Sequence, residues 1–257
     1  MSHTYAIFGD DARQSWLFSL LEKHGFHAVQ TIDPAVSADT IVLPIPSVTK
    51  DGMLAGTDIS FPDYLRALPP DTVIWGTGFS RFSESAQQAG LTLNDFTAYE
   101  QFTSDNALPT AEGALQLAME ELPTTIHGSR FLVIGYGRIG KQLARLLNVL
   151  GGSVTVARQQ GDAPPFRTDT TGDYRYPLQE YDAIFNTVPA PVFGKEQCAR
   201  TRSDCLLIDL ASHPGGIAKT ADRKLIHALG LPAKTSPKTA AEIMLRILVK
   251  EEETWSS

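Results

Sequence analysis

The sequence predicts an α/β protein built on parallel sheets in two units. Three observations predict it. Short β-rich runs alternate with amphipathic helical runs, the order that gives parallel strands joined by helical crossovers. Glycine, proline or polar clusters separate the runs, as turn chemistry requires. The composition is that of an ordinary globular protein, 257 residues with 42% apolar and 20% charged. A chain of that length and apolar content can bury a core, which excludes intrinsic disorder.

Residues 4–8 read as a strand. A helical pattern follows, with Trp16, Leu17, Leu20 and Leu21 on one face, and Gly25 ends it. Residues 26–31 and 40–43 read as strands, the second stopped by Pro44 and Pro46. A looser stretch runs to Pro69-Pro70, then comes a buried-type strand at 72–76 and a helix at 80–89 stopped by Gly90. These make a smaller, flavodoxin-like α/β unit over residues 1–108. A helix over 110–122 is expected after Pro109, with Leu115, Ala118, Met119 and Leu122 as its stripe. Then come a strand at 131–134, a helix at 138–150 with Ile139, Leu143, Leu146, Leu147 and Leu150 inward, and a strand at 153–157. Residues 159–176, rich in Gly, Pro, Asp and Thr, read as loop. Strands follow at 183–188 and 205–210 and close a second unit over 109–238. A last helix over 239–250 carries Ala240, Ile243, Met244, Ile247 and Leu248 on one face and is expected to pack on the first unit. The tail 251–257 is expected to fray.

The formal charge is −7, and no run concentrates Lys or Arg, which argues against nucleic-acid binding. The longest apolar runs are about five residues, far below the ~20 of a membrane span. The opening Met1-Ser2-His3-Thr4-Tyr5-Ala6-Ile7-Phe8-Gly9 shows neither a basic nor an apolar signal region, so a reducing cytoplasm is expected. Cys198 and Cys205 do not make a disulfide framework or metal site and read as idle thiols. The histidines show no metal spacing, and His127, followed by Gly128, reads as structural. No hydrolase elbow or phosphate-binding lysine loop occurs.

Gly135-Tyr136-Gly137-Arg138-Ile139-Gly140 follows a strand and opens an amphipathic helix. In that context the spacing marks a Rossmann-type, doubly wound dinucleotide site. Gly135 permits the tight turn, Gly137 lets a pyrophosphate approach, and Gly140 lets helix and strand pack. The backbone of Tyr136, Arg138 and Ile139 completes the turn, whose helix end offers N–H groups to phosphate. An acid at the tip of the next strand selects NAD, but here the tip is Val156-Ala157-Arg158-Gln159. Arg158 matches a 2′-phosphate, so NADP is favoured over NAD. Ligands sit beyond the carboxyl ends of such strands. That places Asn186, Thr187, Val188 and Pro189, and then Asp209, Ala211 and Ser212, beside the nicotinamide half. The loop Ser212-His213-Pro214-Gly215-Gly216 offers further donors, or is a plain tight turn.

Five stretches in this order resemble the A subunit family of dipicolinate synthase. They are Leu108-Pro109-Thr110-Ala111-Glu112-Gly113-Ala114, the 135–140 glycine turn, Asn186-Thr187-Val188-Pro189, Asp209-Leu210-Ala211-Ser212-His213-Pro214-Gly215-Gly216 and Pro237-Lys238-Thr239-Ala240. Ile126-His127-Gly128-Ser129 and Ala157-Arg158 fit the same pattern, and Gly9-Asp10-Asp11-Ala12-Arg13-Gln14 is similar to the family's opening turn. The resemblance covers residues 100–250 well and the first 100 weakly. It implies a pyridine-nucleotide oxidoreductase of sporulating bacteria. That enzyme forms dipicolinate from a dihydrodipicolinate of the lysine pathway, with a flavoprotein-like B subunit, in the mother-cell cytoplasm. Two features depart from the family. The chain is shorter, with a helix and strand expected to be trimmed between Arg158 and Ala183, and His213 stands where Arg or Lys is expected. A homo-oligomer is expected.

Aromatising a dihydropyridine dicarboxylate removes a hydride and a ring proton. The substrate's two carboxylates need cations or N–H and hydroxyl donors. Arg13, Lys238, Thr239 and Ser212 are the candidates, with Lys238, Ser212 and His213 as catalytic groups. Thr110 and Glu112 are candidates for lining an interdomain cleft, although Glu112 could instead support its own helix dipole. Two rival readings stand beside this one. A D-2-hydroxyacid dehydrogenase shares the domain layout but needs a His general base where Ser236-Pro237-Lys238 stands. A non-catalytic, NADP-binding regulatory protein would fit the trimmed segment after Arg158.

Overall fold

The computed structural model describes residues 3–255. Two compact units make up the chain: Met1–Asn106 with Ser236–Ser257, and Ala107–Thr235. With its C-terminal segment the first unit is about as long as the second.

The first unit runs β1 (Thr4–Ile7), α1 (Ala12–Lys23), β2 (His27–Gln30), β3 (Thr40–Val42), α2 (Phe61–Ala67), β4 (Val73–Gly76), α3 (Ser83–Gln88), β5 (Thr92–Asp95) and α4 (Glu100–Asp105). Among the described residues its strands are all parallel, in the order β2-β1-β3-β4-β5. That is the flavodoxin order, whose topological switch lies between β1 and β3. Asp11 starts α1 by accepting the Gln14 N–H at 3.0 Å. Gly25, at φ +86°, takes the left-handed turn that ends the helix. Strand alternation divides the core into two layers. Tyr5, Ile7, Val73 and Trp75 face one side, and Ala6, Ile41 and Ile74 face the other.

The second unit runs α5 (Ala107–Glu121), β6 (Arg130–Ile134), α6 (Arg138–Val149), β7 (Ser153–Arg158), β8 (Arg167–Thr170), β9 (Ala183–Asn186), α7 (Lys195–Ala199), β10 (Leu206–Asp209), β11 (Leu225–His227) and α8 (Leu231–Thr235). Its parallel strands lie in the order β11-β10-β9-β6-β7-β8, the doubly wound dinucleotide-binding order. Phe131, Val133, Val156, Phe185 and Ile208 pack under α5 and α6. Leu132, Ile134, Ile184 and Leu207 pack on the opposite face with Tyr181 and Phe193. Both cysteines are buried and unbridged, and burial pushes the Cys205 thiol up to about 12.

The chain ends in α9 (Pro237–Trp255), which packs along α1. Its Ile243, Met244, Ile247 and Leu248 join Leu17, Leu21 and Trp75 in one buried cluster. Each such aliphatic side chain contributes about 1.5–3 kcal/mol, so the first sheet depends on residues from the far end of the sequence. Fraying of 251–257 was expected, but α9 continues to Trp255; Ser256 and Ser257 lie outside the described residues. Among those residues no helix is long and apolar enough to cross a membrane.

Four expectations need correction. The 159–176 loop contains β8, paired in register with β7, so the strand is kept and only a crossover helix is missing. Trp16 is 42% exposed, Met119 62% and Leu150 42%, so none of them belongs to the buried stripe of its helix. Of the expected α5 stripe, Ala118 is buried and Leu115 and Leu122 pack against the core, but its buried centre is made of small residues the sequence reading did not name, Ala107, Ala111 and Ala114. The helix also starts before Pro109, which sits in its first turn, where a missing N–H is harmless.

Candidate functional site

The glycine turn joins β6 to α6. Gly135 has φ +95°, and a Cβ there would lie 2.3 Å from Thr187 Oγ1. A Cβ on Gly140 would lie 2.2 Å from the Gly135 carbonyl oxygen. These two positions are closed by the protein itself. Gly137 differs, since a Cβ there meets nothing within 4 Å. It is the N-cap of α6, a 12-residue helix, and makes no side-chain cap hydrogen bond. A phosphate fits the open space at Gly137 and the positive end of the helix dipole behind it.

Arg158 ends β7. Its Nη1 donates to the Asp162 carbonyl at 2.7 Å, and its guanidinium lies 5.4 Å from the centre of the Tyr136 ring. Lys141 reaches the same ring at 5.7 Å. Tyr136 therefore has two cations over it, and Lys141 was missed from the sequence. Its signal was its place directly after the third glycine.

Beyond β9 and β10 the backbone is held by two buried polar side chains. Asn186 Nδ2 donates to Asp209 Oδ1 at 2.8 Å and to the Val188 carbonyl at 2.9 Å, and Asn186 Oδ1 accepts the Val188 N–H at 3.0 Å. Thr187 Oγ1 donates to the Ile134 carbonyl at 2.9 Å, pinning the 187–189 segment, with Pro189, beside the glycine turn. Asp209 also accepts the N–H groups of Ala211, Gly216 and Ile217 at 3.1, 2.7 and 3.0 Å. Its carboxylate is fully buried and shapes the loop that presents the exposed Ser212 and His213. The His213 ring stacks on His227 at 5.4 Å, and His227 Nε2 lies 3.6 Å from Asp209 Oδ2. His227 was also missed; only the pairing of Asp209 with His227 across β10 and β11 brings it here.

The remaining candidates stand in two places. On α5, Thr110 is half-buried and Glu112 exposed. In the first unit, Lys238 is an exposed ammonium 5.5 Å from the Trp16 ring and 3.9 Å from Glu242 Oε1, with Thr239 exposed next to it. Arg13 is buried on the first turn of α1, its Nη2 donating to Asp11 Oδ2 at 3.0 Å and to the Ile45 carbonyl at 3.2 Å. Burial pulls its guanidinium below the ordinary value, and Asp11 opposes that. Among the described residues no group of three or more His, Cys, Asp or Glu is placed to hold a metal ion.

No family model matches the chain. It is 30% identical to the A subunit of dipicolinate synthase from Bacillus subtilis, over 95% of this chain and 94% of that protein. The chain belongs to the dipicolinate synthase A-subunit family. Solved structures of that family agree. The crystal structure of the Bacillus halodurans A subunit superposes with a TM-score of 0.83 at 26% identity, covering 96% of this chain and 97% of that one. The Bacillus subtilis structure gives 0.79 at 27%, covering 99% and 97%. A transhydrogenase from Sinorhizobium meliloti, at 16% identity and a TM-score of 0.69 over 91% of this chain and 79% of that one, shares the fold alone. Family and fold together make this an NAD(P)-dependent-dehydrogenase-like protein.

Proposed function

We propose that this chain is an NADP-dependent oxidoreductase that oxidises a dihydropyridine-2,6-dicarboxylate to dipicolinate, working with a flavoprotein-like partner of the B type. The observation that carries the reading is the 30% identity, over 95% of the chain, to the A subunit of a dipicolinate synthase. The reaction would belong to sporulation, as a branch of the lysine pathway in the mother-cell cytoplasm. The nicotinamide, when bound, supplies the hydride acceptor. The protein's task is to hold both carboxylates, keep the ring carbon in reach and receive one ring proton. Ser212 and His213 on the loop beyond β10, and the Lys238 amine, are the candidate proton-handling groups. Arg13, Thr110, Glu112 and Thr239 are the candidate substrate contacts.

The choice of NADP rests on Arg158, whose strand tip carries no acid. Truncation to Arg158→Ala removes a charge-assisted hydrogen bond worth roughly 1.5–3 kcal/mol. NADP affinity should then fall about 10- to 100-fold while NAD affinity holds. Calorimetric titration of both dinucleotides checks this, and equal losses for the two would refute a 2′-phosphate role.

The reaction itself is tested by generating dihydrodipicolinate in situ. NADP or NAD is added, with and without the B-type partner, and dipicolinate is followed by ultraviolet absorbance. Formation above the enzyme-free rate, faster with NADP, is expected. Failure with both dinucleotides and the partner present would overturn the reading.

A further inference from the structure

Gln14 has no role in the proposed reaction. It is fully buried, and neither its Oε1 nor its Nε2 meets a partner. Arg13, 5% exposed, has an unpartnered Nε beside it in sequence. A buried amide with both ends unmet is costly, so a native fold keeps one only where something else satisfies it.

Both residues stand on the first turn of α1, just past the carboxyl end of β1, and both are directed at the segment that leaves β3. Arg13 reaches the Ile45 carbonyl. Gln14 Cγ lies 3.0 Å from the point where a Gly9 Cβ would stand, and that point is 3.3 Å from Pro44 Cβ. This is the β1/β3 crevice, the switch point where open α/β sheets bind ligands. Its far wall is tied down by Ser47, whose Oγ donates to the Pro44 carbonyl at 2.6 Å and accepts the Thr77 N–H at 2.8 Å. Asp11 accepts Arg13 Nη2 and the Gln14 N–H, while Arg13 Nε and the Gln14 amide stay unmet. Asp10, Pro46 and Gly78 are exposed at the ends of the same strands.

We propose that Arg13 and Gln14 form a seat for a small carboxylate that carries an N–H or O–H next to its carboxylate carbon. Arg13 Nε and Gln14 Nε2 donate to the carboxylate, and Gln14 Oε1 accepts the neighbouring donor. A phosphate would use the donors and leave Oε1 unpaired, so the seat discriminates by class. The inference rests on the proposed reaction only for the identity of its ligand. A reduced pyridine-2,6-dicarboxylate places its ring nitrogen beside each carboxylate.

The test titrates piperidine-2,6-dicarboxylate and inorganic phosphate into the full-length protein by calorimetry, alongside Gln14→Leu and Arg13→Lys. Wild-type protein should bind the dicarboxylate at least about tenfold more tightly than phosphate. Gln14→Leu should weaken dicarboxylate binding about tenfold or more, yet melt without ligand at or above the wild-type temperature, because it removes an unmet buried amide. A merely structural glutamine would instead lower the melting temperature and spare binding. Should Gln14→Leu fail to fold, Arg13→Lys, which keeps the charge and loses the Nε–H, must show the same loss. No dicarboxylate binding by the wild type, or unchanged affinity in the variants, overturns the seat. Gln14-dependent binding without dipicolinate formation would uphold the seat and overturn the reaction; turnover indifferent to Gln14 would do the reverse.

Discussion

Gly137→Val is expected to leave the protein folded and to abolish dinucleotide binding, NADP and NAD alike. Gly137 has φ −77° and ψ −161°, extended backbone that valine adopts freely. A Cβ there meets no protein atom within 4 Å. Exchanging a glycine N-cap for valine costs about 1 kcal/mol, which lowers the melting temperature by only about 2–4 °C in a protein of this size. The same branched side chain fills the open space at the N-terminal end of α6, where the proposed pyrophosphate would lie. Affinity should fall by at least about a hundredfold, since the lost contacts are several charge-assisted hydrogen bonds. Gly140→Ala is the control. Its Cβ would be driven into the Gly135 carbonyl at 2.2 Å, and overpacking of that kind costs about 1–3 kcal/mol. It should lose stability first and binding second. Thermal melts beside calorimetric titrations separate the two effects. Retained affinity in a folded Gly137→Val protein would remove the phosphate from this turn.

The contrast among these glycines shows what was legible in the sequence. Spacing together with its place between a strand and an amphipathic helix marked Gly135, Gly137 and Gly140. The buried strands were legible for a similar reason. Runs such as Phe131-Leu132-Val133-Ile134 carry apolar residues on both faces, as central parallel strands must. The edge strand β8 was not legible. Arg167-Thr168-Asp169-Thr170 has no apolar residue, and it is a strand only because it pairs with β7. The short elements α7, α8 and β11 were missed likewise, each being too brief to show a period. Trp16 and Leu150 were assigned inward because periodicity registers every apolar residue at helical spacing, whether or not another element covers it. In the site, Arg158 was readable as the last residue of a strand. His227 and Gln14 were not, since stacking on His213 and burial without a partner are facts of tertiary packing.

Tertiary packing also sets the second large effect, which concerns stability. Asp209→Asn is expected to destabilise the protein by about 2–4 kcal/mol, the cost of leaving buried donors unmet. Asp209 is fully buried and accepts four N–H donors, two on each oxygen. Asn186 and Ala211 address Oδ1; Gly216 and Ile217 address Oδ2. An asparagine has one oxygen and one NH2. Whichever way its amide turns, one pair of donors faces another donor. If the oxygen keeps Asn186 and Ala211, the 216–217 backbone is released and with it the loop bearing Ser212 and His213. If the oxygen keeps Gly216 and Ile217, the Asn186 amide loses its link between β9 and β10. The loop is closely packed at this point: a Cβ on Gly215 would lie 2.6 Å from His227 Cε1 and 2.7 Å from Asp209 Oδ2. Urea unfolding should show a lower midpoint with an unchanged slope, the mark of altered stability in an unaltered denatured state. A stability within about 0.5 kcal/mol of wild type would mean that the buried carboxylate is not what holds this loop. Proton transfer by Ser212 or His213 would then need a different support.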